Sequence, residues 1–186
     1  MRTQKMVDCL GRCPIISAIY DNLWQEALRS PTEVIVCQNA NILTIKERIE
    51  EAHSLNKMLL VHIDLAEGIG RDRSGIEFLK NCGVDGIVTT RGQMVRLAKE
   101  FSLLTVQRLF LLDSHGVESM DGILNSATPD FVEIMPGVVT KAIERFSKGS
   151  IPVIAGGLIE TKAEVTAAIG AGAIAISTGK KDLWYL

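Results

Sequence analysis

The feature that most constrains this chain is a strict alternation. Short, β-branched or Leu-rich runs alternate with helix-period segments from one end of its 186 residues to the other. The runs are "PIISAIY" from Pro14, "EVIVCQ" from Glu33, "MLLVHID" from Met58 and "GIVTT" from Gly86. "LLTVQRLF" from Leu103, "FVEIMP" from Phe131, "PVIAG" from Pro152 and "AIAIST" from Ala173 complete the set. Runs this apolar suit strands covered on both faces. The stretches between them carry stripes such as Ile42, Ile45, Ile49 and Ala52, or Val139, Ile143 and Phe146. Three helix starts have capping-box spacing: Thr44 with Glu47, Ser74 with Glu77 and Thr161 with Glu164.

Regular strand-helix alternation means a parallel α/β sheet, and eight units point to a compact (β/α) barrel. About 23 residues per unit leaves only minimal loops, against ~250 residues for a typical barrel of this kind. The expectation is therefore seven or eight parallel strands in one domain over residues 1–186, with room for one strand to be short or absent. An open doubly wound sheet is the alternative. It is disfavoured because no GxGxxG follows the first strand, and the glycine-rich joint follows the seventh.

That joint is "PVIAGGLIETKAEV", where Gly156 and Gly157 stand between strand and helix. Backbone N–H groups at such a place bind phosphate oxygens, and close approach favours residues without Cβ. One unit later "ISTGK" brings Ser177 and Thr178 to the end of strand eight. In phosphate-binding barrels the anion lies between these two loops. Gly156, Gly157, Ser177 and Thr178 are thus expected to hold a phosphate.

Polar side chains interrupt several strands near the same end. His62 and Asp64 alternate with apolar Val61 and Ile63, and Glu67 follows. Thr105, Gln107 and Glu133 lie within apolar strands, Arg91 ends the fourth, and Arg108 with Asp113 closes the fifth. Several such groups at one end imply a shared polar pocket. Two enzyme schemes fit the residue types. Glu133 as base with His62 as electrophile would isomerise a sugar phosphate. His62, Asp64 and Glu67 around a divalent metal would cleave a phosphodiester. No lysine occupies the C-terminal half of a strand, which argues against a Schiff-base aldolase, and no GxSxG occurs.

The remaining composition narrows the class. The net charge is −2 with few aromatic residues, so no strongly basic nucleic-acid face is visible. "RDRSG" and "TRGQMVRLAKE" are the basic neighbourhoods. Cys9, Cys13, Cys37 and Cys82 have no zinc-site spacing and read as reduced thiols. The N-terminus has no signal-peptide core and no run reaches membrane-spanning length, so a cytoplasmic protein without a membrane partner is expected.

"LVHIDLAEGIGRDRSGIEFLKNCGVDGIVTTR", "LLTVQRLFLLDS", "PDFVEIMPGVVTKAI" and "PVIAGGLIETKAEVTAAIGAGAIAIST" together resemble the glycerol-3-phosphate-responsive antiterminators of bacterial glycerol uptake operons. The resemblance implies a non-enzymatic regulator of glycerol-metabolism genes. It would sense glycerol 3-phosphate as effector, need no cofactor or metal, and act on leader mRNA so that transcription passes a terminator. Gly156, Gly157, Ser177 and Thr178 would take the phosphate. His62, Asp64, Gln107 and Glu133 would face the glycerol end, and Arg91 and Arg108 would reach ligand or RNA. Homo-oligomerisation is compatible with this reading. The alternative is a small barrel enzyme, of isomerase or phosphodiesterase type, acting on a three-carbon phosphate. The loop after Asp64, with Gly68, Gly70 and Gly75, has a composition suited to a switch.

Overall fold

The computed structural model describes residues 2–111, 122, 124 and 126–186. Eight parallel strands close into one barrel in chain order: β1 (Ile15–Ile19), β2 (Val34–Cys37), β3 (Met58–His62), β4 (Gly86–Thr89), β5 (Leu104–Phe110), β6 (Phe131–Met135), β7 (Val153–Gly156) and β8 (Ala175–Thr178). The ring closes where β1 pairs with β8, Ile15 opposite Ile176 and Ile16 opposite Ser177. No strand is missing, so neither the seven-strand nor the open-sheet alternative holds. Four-residue strands suffice because each is hydrogen-bonded on both sides.

Around the barrel run α2 (Trp24–Arg29), α3 (Ile45–Ser54), α4 (Arg73–Cys82), α5 (Gly92–Glu100), α6 (Thr140–Ser147) and α7 (Lys162–Gly170). Strand alternation divides the core in two. Outward-facing residues such as Ile35, Leu59, Val61, Ile87, Val132 and Ile176 pack under the helices. Their neighbours Val34, Val36, Leu60, Val88, Leu104, Val106, Phe131 and Ile154 fill the barrel.

The sequence reading assigned no element to the first residues. They form α1 (Arg2–Arg12), whose Met6, Cys9 and Leu10 pack into the barrel interior. Its polar side chains bind segments that precede strands: Arg2 donates to the Ser102 carbonyl, Thr3 to Asp130, and Arg12 pairs with Glu33. The helix therefore plugs the N-terminal end of the barrel, leaving the C-terminal end as the open mouth.

Two of the three expected capping boxes are corrected. Thr161 and Glu164 form theirs at α7. At α4 the cap is Asp72, which accepts the Gly75 N–H, while Ser74 lies inside the helix. Thr44 makes no side-chain cap bond at α3. The stripes also start later than read: Ile42 and Val139 precede their helices and are half-exposed.

Candidate functional site

Above the apolar layers, the inward residues at the strand ends become polar. In β5, Leu104 and Val106 face the barrel interior, so Arg108 does too. Its Nε donates to Glu133 Oε2 at 2.8 Å and its Nη1 to Gln38 Oε1 at 3.2 Å. Arg108 and Glu133 are both buried, at 6% and 3% exposure. A buried ion pair is stable only when its geometry and remaining hydrogen bonds offset desolvation, as the Gln38 contact helps it do here.

Gly156 is explained by this pair. A Cβ there would stand 2.3 Å from Glu133 Oε1. The glycine is bare to make room for a carboxylate on the neighbouring strand. Gly157 differs: its φ is +72°, and a Cβ would meet Met135 Cε at 2.7 Å. It turns the chain away from β7 in the left-handed region open to glycine. The Gly137 N–H donates to both glycine carbonyls, tying the loop after β6 to the loop after β7.

Gln38, Arg108, Glu133, Met135 and Gly157 line a cavity of about 530 Å³ at the mouth, whereas Gly156, expected at the phosphate, is not among its lining residues. One wall is made by Gly157, Leu158, Ile159 and Glu160 with Ser177, Thr178, Gly179 and Lys180; Gln38, Arg108 and Glu133 make the floor. The Thr178 hydroxyl is engaged, donating to the Ile159 carbonyl at 3.0 Å and accepting the Lys180 N–H at 3.1 Å. The Thr178 carbonyl accepts from Trp184 Nε1, so the terminal 3-10 turn (Lys181–Tyr185) braces this wall.

The other expected residues lie apart from the cavity wall. His62 is buried in the barrel, and neither ring nitrogen has a hydrogen-bond partner among the described residues. Burial, and then the Arg108 charge, push its pKa down from 6.5 to about 4, against the opposing pull of Asp64 and Glu133. It is neutral at pH 7. Asp64 sits beyond β3 and is used locally: Thr89 Oγ1 donates to one oxygen, and the Thr90 N–H and hydroxyl to the other. Burial works to raise its pKa, but these bonds and His62 outweigh it and hold the carboxyl below the ordinary range.

Arg91 stands at the rim, more than half exposed, its Nε 3.7 Å from Asp64. Gln107 is corrected. It alternates with Arg108 and therefore points away from the barrel interior, towards the start of α5, where its amide lies near Gly92. Thr105 shares that outward face and binds Asp130. Asp113 lies outside the described residues. Both carboxylates of the metal scheme have protein partners, Glu67 receiving the Asn41 amide and Asp64 serving Thr89 and Thr90, and among the described residues no group of three or more His, Cys, Asp or Glu is placed to hold a metal ion. The glycines after Asp64 serve close packing, since a Cβ on Gly75 would lie 1.8 Å from the Gly70 carbonyl oxygen.

Gln38 and Lys180 were missed. Gln38 closes the apolar run "EVIVCQ", and a single polar residue at a strand end does not show which way it faces. Lys180 stood inside the quoted "ISTGK", and its place directly after the phosphate-loop signature was the available signal.

Fold and mouth together define a TIM-type (β/α) barrel with a polar, ligand-sized cavity at the C-terminal ends of its strands. The chain belongs to the glycerol-3-phosphate responsive antiterminator family, whose model matches residues 15–184. It is 32% identical over 184 residues to YgcP of Escherichia coli (strain K12), covering 97% of this chain and 96% of that one. A glycerol uptake operon antiterminator regulatory protein from Listeria monocytogenes superposes with a TM-score of 0.87 at 34% identity, covering 92% of this chain and 95% of that one. An antiterminator-related protein from Thermotoga maritima gives 0.82 at 31%, covering 91% and 96%. A deoxyribose phosphate aldolase from Aeropyrum pernix, at 18% identity and a TM-score of 0.70 over 97% and 94%, shares the fold alone. Among the described residues no helix is long and apolar enough to cross a membrane.

Proposed function

We propose that this protein is a cytoplasmic regulator of glycerol-metabolism genes that senses glycerol 3-phosphate in the mouth cavity. In response it promotes transcription antitermination by binding leader mRNA. It works by binding its effector intact, without turnover and without a cofactor. The observation that carries the reading is the two-sided cavity: glycine-bearing loops and Lys180 on one wall, a buried polar floor on the other. Backbone N–H groups near Gly157 and Gly179, the Ser177 hydroxyl and the Lys180 ammonium suit a phosphate. Thr178 contributes through its position, because its hydroxyl is already used. Glu133, Arg108 and Gln38 offer partners to the glycerol hydroxyls, with His62 near Arg108 in the barrel.

RNA contact is proposed at the rim beside Asp64. The exposed Arg71 and Arg91 both approach that residue, Arg71 Nε donating to its carbonyl at 2.9 Å. A net charge of −2 makes such local positive density the means of meeting RNA phosphates.

Calorimetric titration with glycerol 3-phosphate tests this, with glycerol and inorganic phosphate as controls and a product assay afterwards. Saturable binding of the intact ligand is expected, lost in Gly157→Val and followed by ligand-dependent retention of leader RNA. No binding, or conversion of the ligand, overturns the reading and moves the enzyme alternative forward.

A further inference from the structure

We infer that a groove at the N-terminal end of the barrel, opposite the mouth, is a second anion site and holds the phosphate backbone of the leader RNA. This rests on the RNA reading above and extends it from the rim to the far end of the same two helices.

The groove has a volume of about 470 Å³ and lies beside the plug helix α1. Arg2, Lys80 and Lys99 bring three cations to it, from α1 and from the last turns of α4 and α5. Among the described residues none of the three has an ion pair, and the ammonium of the half-buried Lys80 has no hydrogen bond. Arg2 uses one N–H on the Ser102 carbonyl, and Lys99 donates to the carbonyl and hydroxyl of Thr128, which leaves further donors on both. Asp130 is the one carboxylate on the wall among the described residues. Thr3 donates to one of its oxygens at 3.1 Å, and the Thr105 N–H and hydroxyl donate to the other at 2.9 and 2.7 Å. Neutral groups therefore hold Asp130, and the cations reach the groove with no counter-charge bonded to them. Clustered like charges repel, and an anion bound among them relieves that repulsion.

The placement of the charges selects a polymer over a single small anion. α4 and α5 are neighbours, and each has a cation at both ends. Arg71 precedes α4 and Lys80 lies in its last turn; Arg91 stands at the start of α5 and Lys99 lies in its last turn. The starts belong to the rim beside Asp64, and the last turns belong to the groove. At about 1.5 Å per residue, the length of α4 sets the two ends roughly 15 Å apart. Between them Arg73 pairs with Glu100 across the two helices at 2.6 Å, Arg96 donates to Ser126, and Glu77 is exposed. The positive density therefore lies at the two ends of the face. Residues 71–100 hold six Lys and Arg against four Asp and Glu, in a chain that has 20 against 22. This face is the basic side of an otherwise acidic molecule, and a phosphodiester chain crossing it places phosphates at both ends.

The test is filter binding of the full chain, with glycerol 3-phosphate present, to the leader transcript of the glycerol uptake operon from the same genome, across a salt series. The double variant Lys80→Gln/Lys99→Gln is expected to bind this RNA about tenfold more weakly and to flatten the slope of log affinity against log salt by about 1–2. Its affinity for glycerol 3-phosphate is expected to match wild type. Arg29→Gln/Lys148→Gln removes the same charge from the lower ends of α2 and α6 and is expected to change RNA affinity by less than about twofold. Arg2→Gln alters neither α4 nor α5, is expected to flatten the slope by about 1, and decides the matter if the lysine variant also loses effector. An unchanged slope and affinity in the lysine variant, or an equal loss in Arg29→Gln/Lys148→Gln, overturns the inference and leaves the RNA reading standing. So does retention of wild type on phosphatidylglycerol vesicles that is lost with the two lysines while RNA binding is unchanged, which assigns the groove to a membrane surface. A wild type that binds no leader transcript overturns the RNA reading and this inference with it.

Discussion

The site depends on single atoms. Gly156 has no Cβ because the Glu133 carboxylate occupies that space, and Glu133 is there because Arg108 turns inward on the adjacent strand. Adding one methyl at Gly156 sets it 2.3 Å from Oε1 of the carboxylate whose other oxygen, Oε2, Arg108 holds. Gly156→Ala is expected to cost about 1–3 kcal/mol of stability through overpacking. If the cavity binds glycerol 3-phosphate as proposed, displacing Glu133 from Arg108 should also weaken that binding about tenfold. Denaturant unfolding and calorimetry on the same variant check the two parts. An Ala variant with unchanged affinity would mean that the ligand does not use Glu133.

At the scale of the element, local signals succeed where the partner is local. The Thr161–Glu164 box closes within four residues and is formed. The same spacing at Ser74–Glu77 fails because Asp72 starts the helix two residues earlier. Thr161→Ala and Asp72→Ala are each expected to lose about 1 kcal/mol, whereas Ser74→Ala changes little. Urea midpoints of the three variants separate them, and a loss at Ser74 equal to that at Asp72 contradicts the assignment. The plug helix shows another limit. Met6, Cys9 and Leu10 have helical spacing in the sequence, but only the open lower end of a closed barrel tells that face what to cover.

At the scale of the whole molecule, the buried His62 ties stability to pH. Its pKa lies near 4 in the folded state, below the ordinary 6.5, so the unfolded chain binds more protons between those values. The stability it contributes is complete above pH 6.5 and is lost as pH falls towards 4. The slope in that window is at most about 1.4 kcal/mol per pH unit. Unfolding free energies measured from pH 7 to 4.5 should show this fall, and His62→Gln should flatten it. The carboxyl of Asp64 is also depressed and acts lower, below its ordinary 3.8, so the two contributions are separable. A wild-type profile flat down to pH 4.5 would show that His62 is not held neutral by its surroundings.

The sequence by itself determined the alternation, hence the parallel barrel, and placed Gly156, Gly157, Ser177 and Thr178 at the ends of strands seven and eight. These follow from period and order along the chain, which are local properties. It did not decide which face of β5 turns inward, so Gln107 was read as a site residue beside Arg108. A period of two fixes that neighbours face opposite ways, but both faces of a buried strand are apolar and neither labels itself. Closing the ring decided it. Once Leu104 and Val106 filled the barrel, Arg108 had to meet Glu133 and Gln38, residues 25 and 70 positions away, and Gln107 had to face the helices. Contacts at such separations exist only in the tertiary structure, because packing, not propensity, brings them together.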